Sequence, residues 1–600
     1  MKKPLFFFAA AGLLALFYAV QFLVPAYIQS LFVHGQFTLL NLFTGVSGPQ
    51  SLDFYLGRGE ELLWGPAVQV ISGLMLILIT LGALKNISTH GFFWLMLGFL
   101  ILTKWNVLLF PPYGDSVGGP FAEGWWLAQN NFDYAGLLRE PGYAAGGPRV
   151  YFTSAFPTYL ALMYKAFSSM PVFLVVNHLV FFAMAAAVAA WVRSVARQIF
   201  CSESAGLLAA VILSWPIFQT QLEAINMELP CLFFAMAAAW ALTRGQIHKA
   251  GVAALLSLAF KGAGIFACAG FVVIALLEIR REGRYERRAA WIWWSIALLA
   301  LCGLSVGVKY WLGDQHTTGT MIAPFAGWPS LKIFAITWFY LANIAVLAAA
   351  WVLRRRVSGP WTACFAVDKT SWRANRVMLV FAGMWFLLFL NFMVLAPRYR
   401  VAVYPFLLFS LFWTFTRLVP QRGWQVAVLV ITLLTVQFNS YGVNNTYIPP
   451  DYVLLEENLQ YRNDLRLYQK LARVVEDKYA GAATVVAPFI AAQKLAVPAF
   501  GYVRANNGRD VVIYGFPCVY GGVRAYPGLE ALDVRRTIYT TMDIDQGSKE
   551  RPYPLHPNDK VLEVVECGNR KAWIFMGGFA IDLMRKMQNY MLMQQRARKI

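Results

Sequence analysis

The chain has 600 residues, of which 58% are hydrophobic and only 14% are charged, and its mean hydropathy is +0.52. This composition excludes an ordinary soluble globular protein, in which about 25% of residues are charged. The formal net charge of +20 would suit a nucleic-acid partner, but cytoplasmic loops of membrane proteins are rich in Lys and Arg for topological reasons alone. We therefore predict a membrane protein whose partner is the lipid bilayer and not a nucleic acid.

Apolar runs near the length that crosses a hydrocarbon core, about 20 residues, recur from residue 5 to residue 440. The first run has no small-residue cleavage site, so it is predicted to be a retained anchor and not a removed signal peptide. The predicted single crossings are 5–27, 65–84, 91–110, 172–192, 204–219, 229–243, 289–311, 333–352, 377–395, 401–419 and 424–440.

Basic clusters next to these runs fall on one side of the membrane if the chain crosses at each run, and the positive-inside rule makes that side the cytoplasm. The N-terminus is then cytoplasmic. Segment 250–278 is the exception, because a single crossing there would put the arginines of 280–288 outside. We predict instead a hairpin that enters and returns, with legs of about 12–15 residues and Lys261 at its tip. Counting both legs gives about thirteen membrane segments and an external C-terminus.

The external side then carries acidic and basic side chains near the membrane surface. Loop 111–171 is too long for a plain connector, and its first acid directly follows a span and the constraining motif PPYG. The candidate residues are Asp115 and Glu123 in that loop, Glu223 and Glu228 in the next, and Arg398 and Arg400 after span 377–395. Each of them, taken alone, is also explained as a solvated loop charge or an interface anchor.

The predicted hairpin tip is the other candidate position. A lysine buried there is costly unless an anion pairs with it, although snorkelling to the membrane interface also explains Lys261. A phosphate near the outer surface would give Lys261, Arg398 and Arg400 a shared partner. The histidines have no metal-ligand spacing, and no nucleotide-binding or hydrolase motif is found. No cofactor is therefore assigned, and a divalent metal stays open if the fold brings the outer acids together.

The last quarter of the chain has a different pattern, which predicts a soluble α/β domain at 441–600 after a transmembrane domain at 1–440. ENLQYRNDLRLYQKLARVVEDKY has helical spacing, and ATVVAPF, DVVIYGF, RRTIYTT and KVLEVVECGNRKAWIFM are typical of strands, the last forming a hairpin at Gly568–Asn569. A helix is predicted near 578–598. This domain holds Cys518 and Cys567, and an oxidising compartment would permit a disulfide between them.

Three passages resemble the GT-C superfamily of integral-membrane glycosyltransferases, in particular the bacterial relatives of protein O-mannosyltransferase and of the lipid A aminoarabinose transferase. They are YGDSVGGPFAEGWWLAQNNFDYAG, NMELPCLFFAMAAAWALTRGQIHKAGVAALLSLAFKGAGIF and PRYRVAVYPFLLF. Their order and inferred sidedness match the first external loop, the acid-led helix with its short hairpin, and the R-Y-x-x-x-x-x-P helix of that family. Two features depart from the family: Ser116 stands where many relatives have a second acid, and two spans precede the one that leads into the loop.

The resemblance implies a glycosyltransferase of a bacterial inner membrane, with its C-terminal domain periplasmic. Such enzymes move a sugar from a polyprenyl-phosphate or polyprenyl-diphosphate donor to an acceptor on the non-cytoplasmic side, and here the acceptor, whether glycan, lipid or protein, stays open. Asp115 would be the general base, and inversion at the sugar is expected. Lys261, Arg398 and Arg400 would hold the donor phosphate. The residues that would bind or orient substrate are Glu123, Glu223, Glu228 and Tyr399.

Two other classes of protein share some of these features. A secondary transporter also has many helices and intramembrane charges, but no inverted repeat is evident and the unequal external loops favour an enzyme. A flippase of lipid-linked sugars would use the same donor without transferring the sugar. A non-catalytic scaffold of the envelope would tolerate substitution of Asp115 and Lys261.

Overall fold

The chain is described by a computed structural model, which is mainly helical and carries a mixed β-sheet towards its C-terminus. The residues that the structure describes are 3–82, 86–113, 116–139, 155–311, 369–391, 397–441, 458–480, 482, 484–487, 489–504, 510–513, 524–525, 537–542, 560–568 and 570–576.

Helices form where the apolar runs predict them, with additional short helices between the runs. In chain order they are α1 (Lys3–Val33), α2 (Phe37–Thr44), α3 (Leu52–Gly59), α4 (Gly65–Leu81), α5 (Thr89–Thr103), α6 (Ala122–Gln129), α7 (Tyr134–Arg139), α8 (Ala155–Ala166), α9 (Met170–Ala196), α10 (Ser202–Ser214), α11 (Pro216–Glu223), α12 (Glu228–Thr243), α13 (Ile247–Phe260), α14 (Ile265–Ile279), α15 (Tyr285–Trp311), α16 (Lys369–Asn391), α17 (Tyr404–Leu418), α18 (Arg422–Phe438), α19 (Tyr461–Lys478) and α20 (Phe489–Ala496). Shorter π and 3₁₀ turns occur at Glu60–Trp64, Trp105–Val107, Val117–Phe121, Gly262–Gly264, Pro397–Ala402 and Pro498–Phe500.

Five helical segments in the described part of the chain are long and apolar enough to cross a membrane, and the pair α10–α11, bent by 59°, would make a sixth. Four shorter apolar helices, α5, α12, α13 and α18, coincide with further predicted membrane segments. The chain is thus a polytopic helical membrane protein with a C-terminal α/β part, as predicted. The predicted crossing at 333–352 lies outside the described residues.

Helix α1 lies at the periphery of this bundle. Only 6% of its apolar window is buried inside the protein, whereas 56% of the corresponding window is buried in α9. Its main neighbour is α4, and the Tyr18 hydroxyl donates a hydrogen bond to the carbonyl oxygen of Leu102 at 2.8 Å. Because its exposed side chains are apolar, α1 is suited to face lipid over most of its length.

The chain reverses direction at Lys261, as the predicted hairpin requires. Helices α13 and α14 have 14 and 15 residues, and they run antiparallel, since the Cys268 thiol lies 3.4 Å from the carbonyl oxygen of Ala254. The turn is tight because a Cβ atom at Gly264 would overlap the backbone of Ser257 and Leu258. Residues 262–279 are by themselves long and apolar enough to cross a membrane.

The C-terminal part contains a six-stranded sheet in the order β3-β2-β1-β4-β6-β5. Its strands are β1 (Thr484–Ala487), β2 (Asp510–Ile513), β3 (Arg524–Ala525), β4 (Thr537–Met542), β5 (Lys560–Cys567) and β6 (Arg570–Met576). Strands β1 to β4 pair in parallel, and β5 and β6 form an antiparallel hairpin. Gly568 has a φ of +60° at the turn of that hairpin, which is where the sequence placed it. The helix predicted near 578–598 lies outside the described residues.

Residues 51–61, here called the N-terminal contact segment, pack directly against this C-terminal part. A Cβ atom at Gly57 would overlap the backbone of Gly568, and the Gly568 amide donates to the carbonyl oxygen of Asp53 at 3.3 Å. The Ser51 hydroxyl donates to Glu566 at 2.8 Å, and Lys470 on α19 pairs with Asp53 at 2.6 Å. The N-terminal residues that sequence reasoning left without a role therefore hold the β5–β6 hairpin against the membrane helices.

Candidate functional site

The first group of functional interest is formed by Lys261, Glu228 and Arg398, which lie far apart in the sequence. The Lys261 ammonium contacts the Glu228 carboxylate, and Nε of Arg398 lies 3.3 Å from Oε1 of Glu228. Glu228 and Arg398 are buried, and Lys261 is largely buried. Two cations that meet one carboxylate form a site where a phosphate oxygen could also bind.

Local structure explains how the two cations reach the same place. Lys261 ends α13 in an extended conformation (φ −154°, ψ 136°), so its side chain leaves the helical path. Arg398 belongs to the 3₁₀ turn Pro397–Ala402, which packs against α11 and α12. Glu228 is the first residue of α12, where a carboxylate is also favoured by the positive end of the helix dipole. Tyr399 and Arg400 share the 3₁₀ turn with Arg398, and their side chains are not among those described.

Asp115 itself lies outside the described residues, but the residues before it are held by the C-terminal part. Pro112 accepts a 2.8 Å hydrogen bond from the Tyr502 hydroxyl, and the buried Tyr113 hydroxyl donates to Asp464 at 3.2 Å. Because these contacts come from segments 350 residues or more away along the chain, the loop entrance is fixed by tertiary structure. Its conformation therefore depends on the docked C-terminal part.

A buried lysine supports the same loop entrance. The ammonium of Lys494 on α20 lies 3.2 Å from the ring centroid of Tyr468, 4.9 Å from that of Tyr113 and 5.0 Å from that of Tyr502. Each ring face can attract the cation, and the attraction is stronger because the group is buried. Sequence reasoning did not identify this cluster, because Tyr113, Tyr468 and Tyr502 lie far apart along the chain.

Glu123 lies on α6 and is 1% exposed, so it is not the solvated loop charge that composition alone would suggest. Glu223 is fully buried at the end of α11, and protein groups surround both of its carboxylate oxygens. The predicted substrate-binding roles of Glu123, Glu223 and Tyr399 stay predictions. Cys567 is buried, and in its reduced form burial raises the pKa of the thiol to about 11. The disulfide with Cys518 also stays a prediction, because Cys518 lies outside the described residues.

Glu223 is the centre of a second buried charged group. The Arg462 guanidinium on α19 forms two hydrogen bonds with it, at 3.0 Å from Nε and 2.7 Å from Nη2. The Lys104 ammonium contacts the same carboxylate, and the Tyr461 hydroxyl donates to it at 2.8 Å. Helices from the membrane part and α19 thus share one buried anion.

The N-terminal contact segment extends this group. The Glu60 carboxylate pairs with Arg466 and accepts a 3.1 Å hydrogen bond from the Tyr441 hydroxyl, which in turn accepts a 3.1 Å hydrogen bond from Nη1 of Arg462. Burial by itself would lower the pKa of Arg462, but Glu223 more than offsets this effect, so that pKa lies well above its usual value. Arg462 therefore stays charged at any pH that the fold tolerates.

Sequence reasoning missed both Lys104 and Glu60 in this group. Lys104 stands inside the run predicted as span 91–110, and Glu60 precedes the run predicted from residue 65. A lysine interrupting an apolar run is a signal for a functional or paired charge in a membrane, so Lys104 could have been singled out. Within the described residues, no group of three or more His, Cys, Asp or Glu side chains is arranged to hold a metal ion.

A comparison with solved structures matches ArnT from Cupriavidus metallidurans bound to undecaprenyl phosphate, with 11% sequence identity and a TM-score of 0.47, over 81% of this chain and 98% of that chain. No family model matches the chain, and no curated protein does. A similarity of this size assigns neither a family nor an activity to the chain.

Proposed function

We propose that the protein is a membrane glycosyltransferase that moves a sugar from a polyprenyl-phosphate donor to an acceptor on the non-cytoplasmic side. The observation that supports this most directly is the meeting of Lys261 and Arg398 at Glu228. A transporter could also use intramembrane charges. An enzyme is favoured because the first residues of the long external loop are fixed by hydrogen bonds with Tyr502 and Asp464. A reaction site at the membrane surface requires such a loop to be held in one position.

The chemical step assigned to this site is a single displacement. Asp115 takes the proton of the acceptor hydroxyl, whose oxygen forms a bond to the anomeric carbon while the bond from that carbon to the phosphate oxygen breaks. The leaving polyprenyl phosphate keeps the bonding electron pair. Lys261 and Arg398 stabilise the charge that develops on it, with Arg400 available from the same turn. Attack from the face opposite the phosphate inverts the anomeric centre.

Glu228 has a separate role in this scheme. It pairs with Lys261 and Arg398, which lowers the cost of keeping two cations buried. A bound phosphate would share these cations with Glu228 and leave the carboxylate able to accept a hydrogen bond from a sugar hydroxyl. Glu228 would therefore position both the cations and the sugar.

The test is transfer by the purified full-length protein in nanodiscs, using radiolabelled sugars on polyprenyl phosphate together with a membrane extract as acceptor source. Asp115→Asn is expected to lower the transfer rate by roughly 10²- to 10⁴-fold, as for loss of a general base. Lys261→Met and Arg398→Gln should each lower it by roughly 10²- to 10³-fold, because each removes charge stabilisation of the leaving group.

Matched controls separate chemistry from folding. Lys478→Met removes a lysine from an exposed pair with Glu563, and Arg422→Gln removes an arginine from a pair with Glu203; both should keep near wild-type transfer. The proposal would be wrong if Asp115→Asn transferred sugar at the rate of these controls. It would also be wrong if Lys261→Met and Arg398→Gln both did so. Movement of the labelled lipid across the bilayer without transfer would instead support a flippase.

A further inference from the structure

A cavity of about 390 Å³ lies away from the Lys261 group, between the N-terminal helices and α19. Its walls come from α1, the N-terminal contact segment, the first turns of α4, the end of α5, and the face of α19 that carries Arg462, Arg466 and Lys470. This volume lies within the range of small-molecule sites, roughly 300–1,000 Å³. The cavity is therefore large enough for a small ligand and too large for a packing defect.

The charges that line the cavity largely compensate one another. Arg466 pairs with Glu60, Lys470 pairs with Asp53 at 2.6 Å, and Arg462 is bound to Glu223. An anionic ligand would have to compete with these carboxylates for the same cations. The charged part of the lining thus favours a ligand that is polar but neutral.

Two amide side chains of the lining have hydrogen-bonding groups without a partner among the described residues. Gln69 on α4 is only 7% exposed, and its side chain makes no hydrogen bond with any described residue. Oε1 of Gln21 on α1 is also buried without a hydrogen-bond partner among the described residues. A buried oxygen without a partner, such as Oε1 of Gln21, costs free energy, and each amide can both donate to and accept from a ligand hydroxyl.

The remaining lining is mainly aromatic and apolar, with Thr103 and Asn106 as two further polar side chains. Its apolar part consists of the aromatic side chains Trp64 and Tyr441 together with Pro25, Leu56 and Val68. A lining that combines amide and charged groups with aromatic side chains matches a ring that has hydroxyl groups around its edge and C–H groups on its faces. A sugar ring has this chemistry.

We propose that this cavity is a binding site for a neutral sugar, presented either by a free saccharide or by the headgroup of a glycolipid. Gln69 and Gln21 would hydrogen-bond its hydroxyls, and Trp64 would pack against a ring face. The site lies on the opposite face of α19 from Tyr113, which leads into the Asp115 loop. It is a second site, and it does not depend on the transferase chemistry proposed above.

The test is equilibrium binding to the full-length protein in nanodiscs, with maltose, lactose and N,N′-diacetylchitobiose as free probes and n-dodecyl β-D-maltoside as the lipid-like probe. At least one free disaccharide should bind saturably. Gln69→Leu and Gln21→Leu should each weaken that binding by roughly five- to tenfold, as expected for one hydrogen bond between neutral groups. Gln425→Leu on α18 is the matched control, because that side chain bonds to the carbonyl oxygen of Val419 outside the cavity.

The variants also separate binding from folding. Because the Gln69 side chain makes no hydrogen bond with a described residue, Gln69→Leu should keep a melting temperature close to that of the wild type. Tighter binding of the maltoside than of maltose assigns the site to a glycolipid headgroup, and equal binding assigns it to a free saccharide. Asp115→Asn should keep sugar binding while losing transfer, so a failure of this proposal is distinguishable from a failure of the proposed function.

Three outcomes would overturn the proposal. One is that none of the three disaccharides binds. Another is that binding is unchanged in both glutamine variants. The third is that inorganic phosphate binds to the wild type and no longer binds to the glutamine variants, while disaccharide binding is the same in the variants and the wild type. The cavity would then be an anion site.

Discussion

The variant Glu223→Gln gives the sharpest test of the buried charged group. In the native protein, Glu223 is fully buried and is paired with Lys104 and with Arg462, whose side chain is 6% exposed. Replacing the carboxylate by an amide leaves both cations buried without the anion they share. Breaking a buried pair costs roughly 3–5 kcal/mol, and we expect a loss in this range because Lys104 loses its carboxylate partner while Arg462 keeps only Glu60, at 3.7 Å.

A second substitution should restore part of this loss. The five charged groups of Lys104, Glu223, Arg462, Glu60 and Arg466 sum to a formal +1, and Glu223→Gln raises the sum to +2. Adding Lys104→Met returns it to +1 and leaves Arg462 with Glu60 at 3.7 Å. The double variant should therefore be more stable than Glu223→Gln alone, with a coupling of roughly 1–3 kcal/mol between the two sites.

The assay is unfolding of the purified protein in nanodiscs, followed by tryptophan fluorescence at several temperatures and in denaturant. Glu563→Gln is the control, because it removes an exposed pair with Lys478 whose contribution should be below about 1 kcal/mol. The reasoning is refuted if Glu223→Gln is no less stable than this control. It is also refuted if Lys104→Met brings no recovery.

Two further predictions concern the contact between the N-terminal contact segment and the β5–β6 hairpin. Gly57→Ala should loosen this contact and make the hairpin easier to cleave in limited proteolysis, because the added methyl group would overlap the backbone of Gly568; unchanged cleavage would contradict the close approach. Burial alone would raise the pKa of Glu566, but hydrogen bonds from Lys571 and Ser51 lower it below its usual 4.5. The stability that these bonds provide is therefore present above pH 4.5 and is lost as the pH falls through the lower folded-state value. The free energy of unfolding of Lys571→Met and of the wild type should differ by less than about 1 kcal/mol at pH 7, and this difference should be smaller at pH 4. A larger difference at pH 4 would contradict the reasoning.

Local signals predicted the features that depend on short stretches of sequence. The turn at Lys261 followed from charge on both sides of 250–278, since placing five arginines outside is unfavourable whatever the rest of the fold does. The strand-like residue patterns predicted β1, β2 and β4 to β6. The Gly-Asn pair at 568–569 predicted the hairpin turn. These signals are carried by neighbouring residues, so no tertiary information was needed.

The buried groups could not be predicted in the same way. Glu60, Glu223 and Arg462 are separated by more than 150 residues from one another, and nothing local to any of them indicates the other two. The substrate role of Glu223 stays a prediction, and nothing in the sequence indicated that its oxygens contact Lys104, Tyr461 and Arg462. Pairings of this kind depend on how helices pack, which one sequence does not specify.

Helix α19 connects the two sites proposed here. Arg462, Arg466 and Lys470 recur every four residues and line the cavity on one face. On the nearly opposite face, Asp464 and Tyr468 contact Tyr113 at the entrance of the Asp115 loop. A ligand that fills the cavity would act on a helix that is anchored by Glu223 and that also holds the loop. Rigid secondary elements are one route by which two sites can be coupled, so α19 is the element through which sugar binding at the cavity would reach the entrance of the Asp115 loop.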